Sequence, residues 1–300
     1  MHAWEQIQTT VDYIEERLSE EIKIEDLAKL ASLSQFYYQR LFGRLVKKPV
    51  NEYLKLRRLA KASDALQDKS KRILDIALDC GFSSHETLTR TFKDAFGMTP
   101  EEYRADPVRL NNFVKPQLLL NYTLIDENVP LVADGIVIEI TRRSLSSPQY
   151  FIGLTAEELI HQIPGGGETG VDALGKLWDT FHERKPDIRG LKEDGDELGV
   201  AHPGTKEGHY RYFAGAEAAS AEPVEGYSSW KLSKGEYIVC SFEAEDFEHL
   251  VMDAVYKAHR YLFETWIPNH KFHVKPFAAE RYASHSPDTT NMEIWVLIEV

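Results

Sequence analysis

Residues 73–103, ILDIALDCGFSSHETLTRTFKDAFGMTPEEY, constrain this chain more than any other stretch. They spell two short helices and the tight turn between them. Ile73, Ile76, Ala77 and Cys80 put small and apolar groups on one face of the first helix. Gly81 stops it, because glycine enters the left-handed conformation of a helix end without a Cβ clash. Phe82 is a core plug, and Ser83 or Ser84 supplies the hydroxyl that opens the next helix. There Leu88, Phe92, Ala95 and Phe96 recur at helical spacing and face inward. Glu86, Thr87 and Arg90 share the outer face. A short helix joined by a tight turn to a polar-faced second helix is the helix-turn-helix arrangement, whose second helix fits the major groove of DNA.

The pattern occurs twice, which separates it from an ordinary helical hairpin. Residues 24–46 read IEDLAKLASLSQFYYQRLFGRLV. Leu27, Ala28 and Leu30 precede a turn, Ser34 caps a second helix, and Leu41, Phe42 and Leu45 point inward. Phe36, Gln39 and Arg40 take the outward places held by Glu86, Thr87 and Arg90 in the other copy. A helix over about 50–66 fits between the copies.

Together, SQFYYQRLFGRLVKKPVNEYLKLRRLAKASDAL and the 73–104 run resemble the AraC/XylS DNA-binding domain over residues 5–107. The resemblance implies seven helices, with two helix-turn-helix units reading successive major-groove segments of double-stranded DNA about 34 Å apart. It places Phe36, Gln39, Arg40, Glu86, Thr87 and Arg90 on the groove-facing surface. Arg40 and Arg90 suit guanine, because a guanidinium fork matches O6 and N7. Gln39 suits adenine, Thr87 and Phe36 a thymine methyl, and Glu86 cytosine N4. Glu86 departs from relatives with a neutral residue there, which implies a different operator. Lys55, Arg57, Arg58 and Lys61 on the connecting helix, with Lys69, Lys71 and Arg72 after it, are expected on phosphates.

The charge distribution agrees. The chain carries −13 overall, yet residues 1–110 hold 18 basic and 18 acidic side chains. Residues 40–72 hold 11 basic against 3 acidic, a local footprint for phosphate. The remaining 17 basic and 30 acidic residues lie in the second half. No run of 18 apolar residues occurs, so no membrane span is expected. The N-terminus reads as an acidic amphipathic helix rather than a signal peptide. Cys80 and Cys240 sit far apart in apolar settings and read as buried thiols, so a cytoplasmic location is expected.

Residues 104–130 lose the helical period, and Pro107, Pro116 and Pro130 mark a linker over 108–130, with a strand possible over 117–124. From 131 to 300 strands and helices mix. Strands are expected at 136–140, 149–154, 197–201, 209–216, 229–243, 277–284 and 292–300. Helices are expected at 156–162, 171–183 and 247–266. The order is strand, helix, strand, strand, given twice. The fold class is therefore an all-α N-terminal domain with two helix-turn-helix units, followed by an α+β domain of two β-α-β-β repeats. The glycine run at 164–167 lacks the strand and Gly-Lys-Ser/Thr of a phosphate loop.

The segments IGL at 152–154, YRYFAG at 210–215, GEYIV at 235–239 and AERY at 279–282, with the ending EIWVLI, resemble the GyrI-like effector-binding domain. Joined to the first domain, they give the arrangement of Rob-like regulators. The resemblance implies an aromatic cleft with a buried glutamate that takes lipophilic cations as small-molecule effectors. Glu280 matches that glutamate, and Trp178, Tyr212, Tyr237, Tyr282 and Trp295 are candidate walls. As a regulator the chain is expected to work with RNA polymerase, without cofactor or catalysis. Two alternatives stay open: a hydrolase using Glu280 with Glu293 and Trp295, or a protein-interaction domain. His249, His259, His270 and His273 lack metal-ligand spacing.

Overall fold

The computed structural model describes residues 2–133, 135–159, 169–282 and 289–299. It divides into two compact units. The first holds the described residues up to Tyr122 together with Thr169–Asp172; the second holds the others.

Seven helices make the body of the first unit: α1 (Ala3–Glu16), α2 (Ile24–Leu30), α3 (Gln35–Val46), α4 (Val50–Leu66), α5 (Ile73–Asp79), α6 (His85–Phe96) and α7 (Pro100–Ala105). Their ends follow local chemistry. Ser34 accepts the Tyr37 N–H at the start of α3, and Ser84 accepts the Thr87 N–H at the start of α6. Thr99 and Glu102 form a reciprocal capping box on α7. The turns α2–α3 and α5–α6 close alike. Leu33 N–H reaches Ala28 O and Ser32 N–H reaches Lys29 O; Phe82 N–H reaches Ala77 O and Gly81 N–H reaches Leu78 O. Both are Schellman closures with a left-handed residue, Ser32 at φ 56° and Gly81 at φ 81°. The second turn has one more residue, Ser83, before its cap.

The long helix α4 joins two cores. Its first half puts Val50, Tyr53 and Leu54 against Ile7, Val11, Leu27 and Phe42. Its second half puts Leu59, Ala62 and Leu66 against Ile76, Leu88, Phe92 and Phe96. One rigid rod thus belongs to both helix-turn-helix units. Residues 108–122, expected as linker, belong in part to this unit: Leu110 is buried in the second core and Leu118 in the first. Leu110–Asn111 (β1) pairs antiparallel with Gly170–Val171 (β5 in chain order), and Leu118–Tyr122 forms α8 rather than a strand.

The second unit is built on a nine-stranded antiparallel sheet. Its strands are β2 (Leu131–Ala133), β3 (Ile136–Leu145), β4 (Gln149–Leu159), β6 (Glu197–Pro203), β7 (His209–Ala218), β8 (Ser228–Leu232), β9 (Gly235–Glu243), β10 (Ala278–Tyr282) and β11 (Asn291–Leu297). Their order across the sheet is β2-β3-β9-β11-β10-β6-β7-β4-β8. The helices are α9 (Ala173–Arg184) and α10, a continuous helix over residues 247–270. The stretches Leu250–Ala254 and Tyr261–Trp266 of α10 widen to π-helical turns. Each half thus runs strand, helix, strand, strand: β4-α9-β6-β7, then β9-α10-β10-β11. The halves meet where β6 pairs with β10.

Two expected elements differ. The helix placed at 156–162 is strand β4 as far as Leu159, because ten consecutive residues pair with β7 and override the helical preference of Ala-Glu-Glu-Leu. The strand expected over 229–243 is broken between β8 and β9, where Gly235 takes φ 153°. Residues 164–167, and the far end of the strand expected at 277–284, lie outside the described residues.

Candidate DNA-reading helices and effector cleft

On α3, Phe36 is 77% exposed and Tyr37 52%, with Gln39 and Arg40 exposed beside them. Tyr38, Phe42 and Leu45 face the core. A groove of about 480 Å³ runs from Phe36, Gln39 and Arg40 to Pro49, Val50 and Asn51 at the start of α4. On α6, Glu86 and Arg90 are exposed and Leu88, Phe92 and Phe96 are buried. Thr87 is half-buried, its hydroxyl 3.2 Å from the Oγ of both Ser83 and Ser84. The Glu86 carboxylate turns back on its own helix end. Hydrogen bonds from the Ser84 hydroxyl and the Glu86 N–H hold its pKa below the ordinary value. An acid in the first turn also suits the helix dipole.

Two arginines expected on phosphate do other work. Arg57 grips the Glu15 carboxylate with Nε at 3.0 Å and Nη2 at 3.0 Å, and donates through Nη1 to the Phe113 carbonyl. Tyr53 Oη donates to the same carboxylate at 2.6 Å. Arg58 donates to the carbonyls of Leu18 at 2.8 Å and Glu20 at 2.7 Å. The reason is rotational phase: these positions of α4 face α1 and the chain that leaves it, so their charges are spent inside the unit. Lys61, Lys69, Lys71 and Arg72 remain exposed, as does Lys55, which pairs with Glu52 at 2.6 Å.

In the second unit, Glu280 projects from the central strand β10 on the side covered by α9 and α10. Its side chain is 12% exposed. Tyr212 Oη donates to Oε2 in a short hydrogen bond, and His259 Nε2 of α10 lies 2.8 Å from Oε1. Trp178 Nε1 of α9 donates to Tyr212 Oη at 3.4 Å. The Trp178 ring meets Tyr282 edge-on with centroids 5.3 Å apart, and His259 stacks on Phe263 at 5.8 Å. Burial, then the Glu280 charge, push the Tyr212 hydroxyl well above its ordinary pKa, so it stays a donor. Gly199 makes the approach possible: a Cβ there would lie 2.0 Å from Tyr212 Oη.

A second buried carboxylate lies nearby on the neighbouring strand. Glu197 is 1% exposed and pairs with His182 Nε2 at 2.9 Å and Lys185 Nζ at 2.6 Å. Burial alone would raise its pKa, but these bonds outweigh burial and hold it below the ordinary value.

Four predicted wall and anchor residues therefore come together: Trp178, Tyr212, Glu280 and Tyr282. Tyr237 and Trp295 do not join them. Antiparallel partners share a sheet face, and Trp295 pairs with Ala279 and Val239 while Ile294 pairs with Glu280. Tyr237 and Trp295 thus pack on the opposite face, with Leu198, Val200 and Phe213. Tyr237 Oη donates to Ser233 O, and burial pushes its pKa up to about 12. Trp295 Nε1 donates to Glu293 at 2.8 Å, so the Glu280–Glu293–Trp295 constellation of the hydrolase alternative is split across the sheet. His259 and Phe263 are the cleft residues that sequence reading missed; their spacing of four on α10 was the available signal. Among the described residues no three His, Cys, Asp or Glu side chains cluster as metal ligands. No described helix is long and apolar enough to cross a membrane, and both cysteines are free and buried.

Residues 27–106 match the helix-turn-helix domain family, and residues 162–298 match the integron-associated effector binding protein family. The regulatory protein SoxS of Salmonella typhimurium is 36% identical over 98 residues, which cover 33% of this chain and 92% of SoxS. The chain belongs to the AraC/XylS-type helix-turn-helix transcription regulators. This is a family of regulators and not of enzymes. In this regulator the helix-turn-helix domain is followed by a GyrI-like effector-binding domain, a Rob-like arrangement. The right origin-binding protein of Escherichia coli is 31% identical over 131 residues, 43% of this chain and 45% of that one. YbfP of Bacillus subtilis, an HTH-type transcriptional regulator, is 44% identical over 98 residues, a third of either chain. The regulator thus spans less than half the length of these two relatives. Among solved structures, SAV2435 bound to tetraphenylphosphonium aligns with 54% of this chain and 94% of its own, at 14% identity and a TM-score of 0.40.

Proposed function

We propose that this chain is a sequence-specific DNA-binding regulator whose second unit senses a small lipophilic cation. The observation that carries the sensing role is Glu280, a nearly buried carboxylate held by Tyr212 and His259 beside aromatic rings. A desolvated carboxylate favours a delocalised cation, which surrenders little hydration on entry. Ring faces add about 0.5–2 kcal/mol of cation–π attraction. For DNA, the support is the pair of outward faces, Phe36, Gln39 and Arg40 on α3 and Glu86 and Arg90 on α6, on helices whose cores share α4. Arg40 and Arg90 read guanine, and the exposed lysines around Lys61 to Arg72 meet phosphates.

The test is a tryptophan-fluorescence titration with tetraphenylphosphonium, beside Glu280→Gln. Saturable binding that weakens at least about tenfold in the variant places about 1.4 kcal/mol or more on the carboxylate. Binding indifferent to the substitution would end the cation reading and leave the DNA reading untouched.

A further inference from the structure

In the structure the carboxylate that would receive a cation already has a partner that can carry positive charge. His259 Nε2 lies 2.8 Å from Glu280 Oε1, and Tyr212 Oη donates to the other oxygen. We propose that His259 sets the charge the cleft presents, so that cation binding is coupled to loss of a proton from His259. This rests on the cation-sensing reading above.

The chemistry follows from the two protonation states of one imidazole. Histidine is the side chain that changes charge between pH 5 and 8. With both ring nitrogens protonated, His259 and Glu280 form a neutral ion pair, and the cleft offers an incoming cation no net charge. When Nδ1 gives its proton to solvent, Nε2–H still donates to Oε1. The hydrogen bond survives, the pair carries −1, and a buried carboxylate stands ready for a cation. No displacement of His259 is needed. The ring, 23% exposed, has a path for the proton to leave.

Among the described residues, the groups that surround this pair are neutral or paired elsewhere. Tyr212 stays protonated, and Trp178 and Tyr282 are neutral neighbours. On α10 itself, Lys257 pairs with Asp253 and Arg260 with Glu264. On α9, His182 is held by Glu197. The strands β9 and β11 beneath α10 turn Ile238, Cys240, Ile294 and Val296 to this side, and burial pushes the Cys240 thiol up, so it stays neutral.

The test uses the full chain and tetraphenylphosphonium, whose charge does not titrate. Binding is measured by calorimetry at about pH 5.5 and about pH 8, in buffers of different ionisation enthalpy, for the native chain and His259→Gln. The expected result is affinity at least about tenfold higher at the upper pH, proton release on binding at the lower pH, and binding by H259Q that is the same at both. Native binding that is flat with pH, or that releases no proton, overturns the inference and leaves the cation reading standing. A pH dependence that persists unchanged in H259Q also overturns it, since a group other than His259 would then carry it. No binding by either protein at either pH removes the cation reading and this inference with it. Absence of proton release from the native chain overturns the inference even where the variant does not fold.

Discussion

Gly199 lies directly opposite Glu280 across the β6–β10 pair, and the hydroxyl of Tyr212 fills the space a side chain at 199 would take. The short Tyr212–Glu280 hydrogen bond therefore depends on an absent Cβ one strand away. Gly199→Ala should push Tyr212 off the carboxylate. We expect a loss of about 1–3 kcal/mol of stability, the cost of leaving buried polar groups imperfectly paired. Urea melts of the full chain measure it; a variant as stable as the native chain would show that Tyr212 can move without cost.

Arg57 and Arg40 should separate structure from reading. Arg57→Ala leaves Glu15 and Tyr53 without their cation in a site only 15–20% exposed. The expected cost is about 2–4 kcal/mol of stability, with the salt slope of DNA binding unchanged. Arg40→Ala and Arg90→Ala should each leave stability nearly intact. Each should lose about 1–3 kcal/mol of discrimination at one base pair. Equal weakening on every sequence would reassign these two to phosphate.

The paired turns predict opposite responses to substitution. Ser32 holds a left-handed conformation that glycine adopts freely, so Ser32→Gly should stabilise the chain by up to about 1 kcal/mol. Gly81→Ala should destabilise by more than that, because the new Cβ would lie 2.5 Å from the Leu18 carbonyl oxygen and 2.8 Å from Arg58 Nε. Thermal midpoints of the two variants moving in the same direction would refute the shared Schellman geometry.

Acid should attack the second unit through Glu197. Its folded pKa is depressed, so its contribution is fully present above the ordinary carboxylate value of about 4.3 and is lost as pH falls through the depressed value. Melts between about pH 3 and pH 6 should show that slope, and Glu197→Gln should flatten it while lowering stability at neutral pH. An identical slope in the variant would assign the acid sensitivity elsewhere.

Much of this protein was legible in the chain alone. Helical periodicity, the serine caps and the glycine turn located both helix-turn-helix units, because those signals act within a few residues. The β-α-β-β order of the second half was readable for the same reason, and resemblance supplied Glu280. Tertiary structure decided what each residue faces. Strand β7 is buried along nearly its whole length and β9 through its centre, so no polar–apolar alternation marked which side Tyr212 on β7 or Tyr237 on β9 would take. Only pairing register put Tyr212 and Glu280 on one face and Trp295 on the other. Likewise the sequence shows Arg57 as one more cation in a basic run. Its partner Glu15 lies 42 residues away, and burial of that pair is a property of how α1 and α4 pack. His259 entered the cleft by the same route: α10, the helix that directly precedes β10 in the chain, was laid across the strand that bears Glu280.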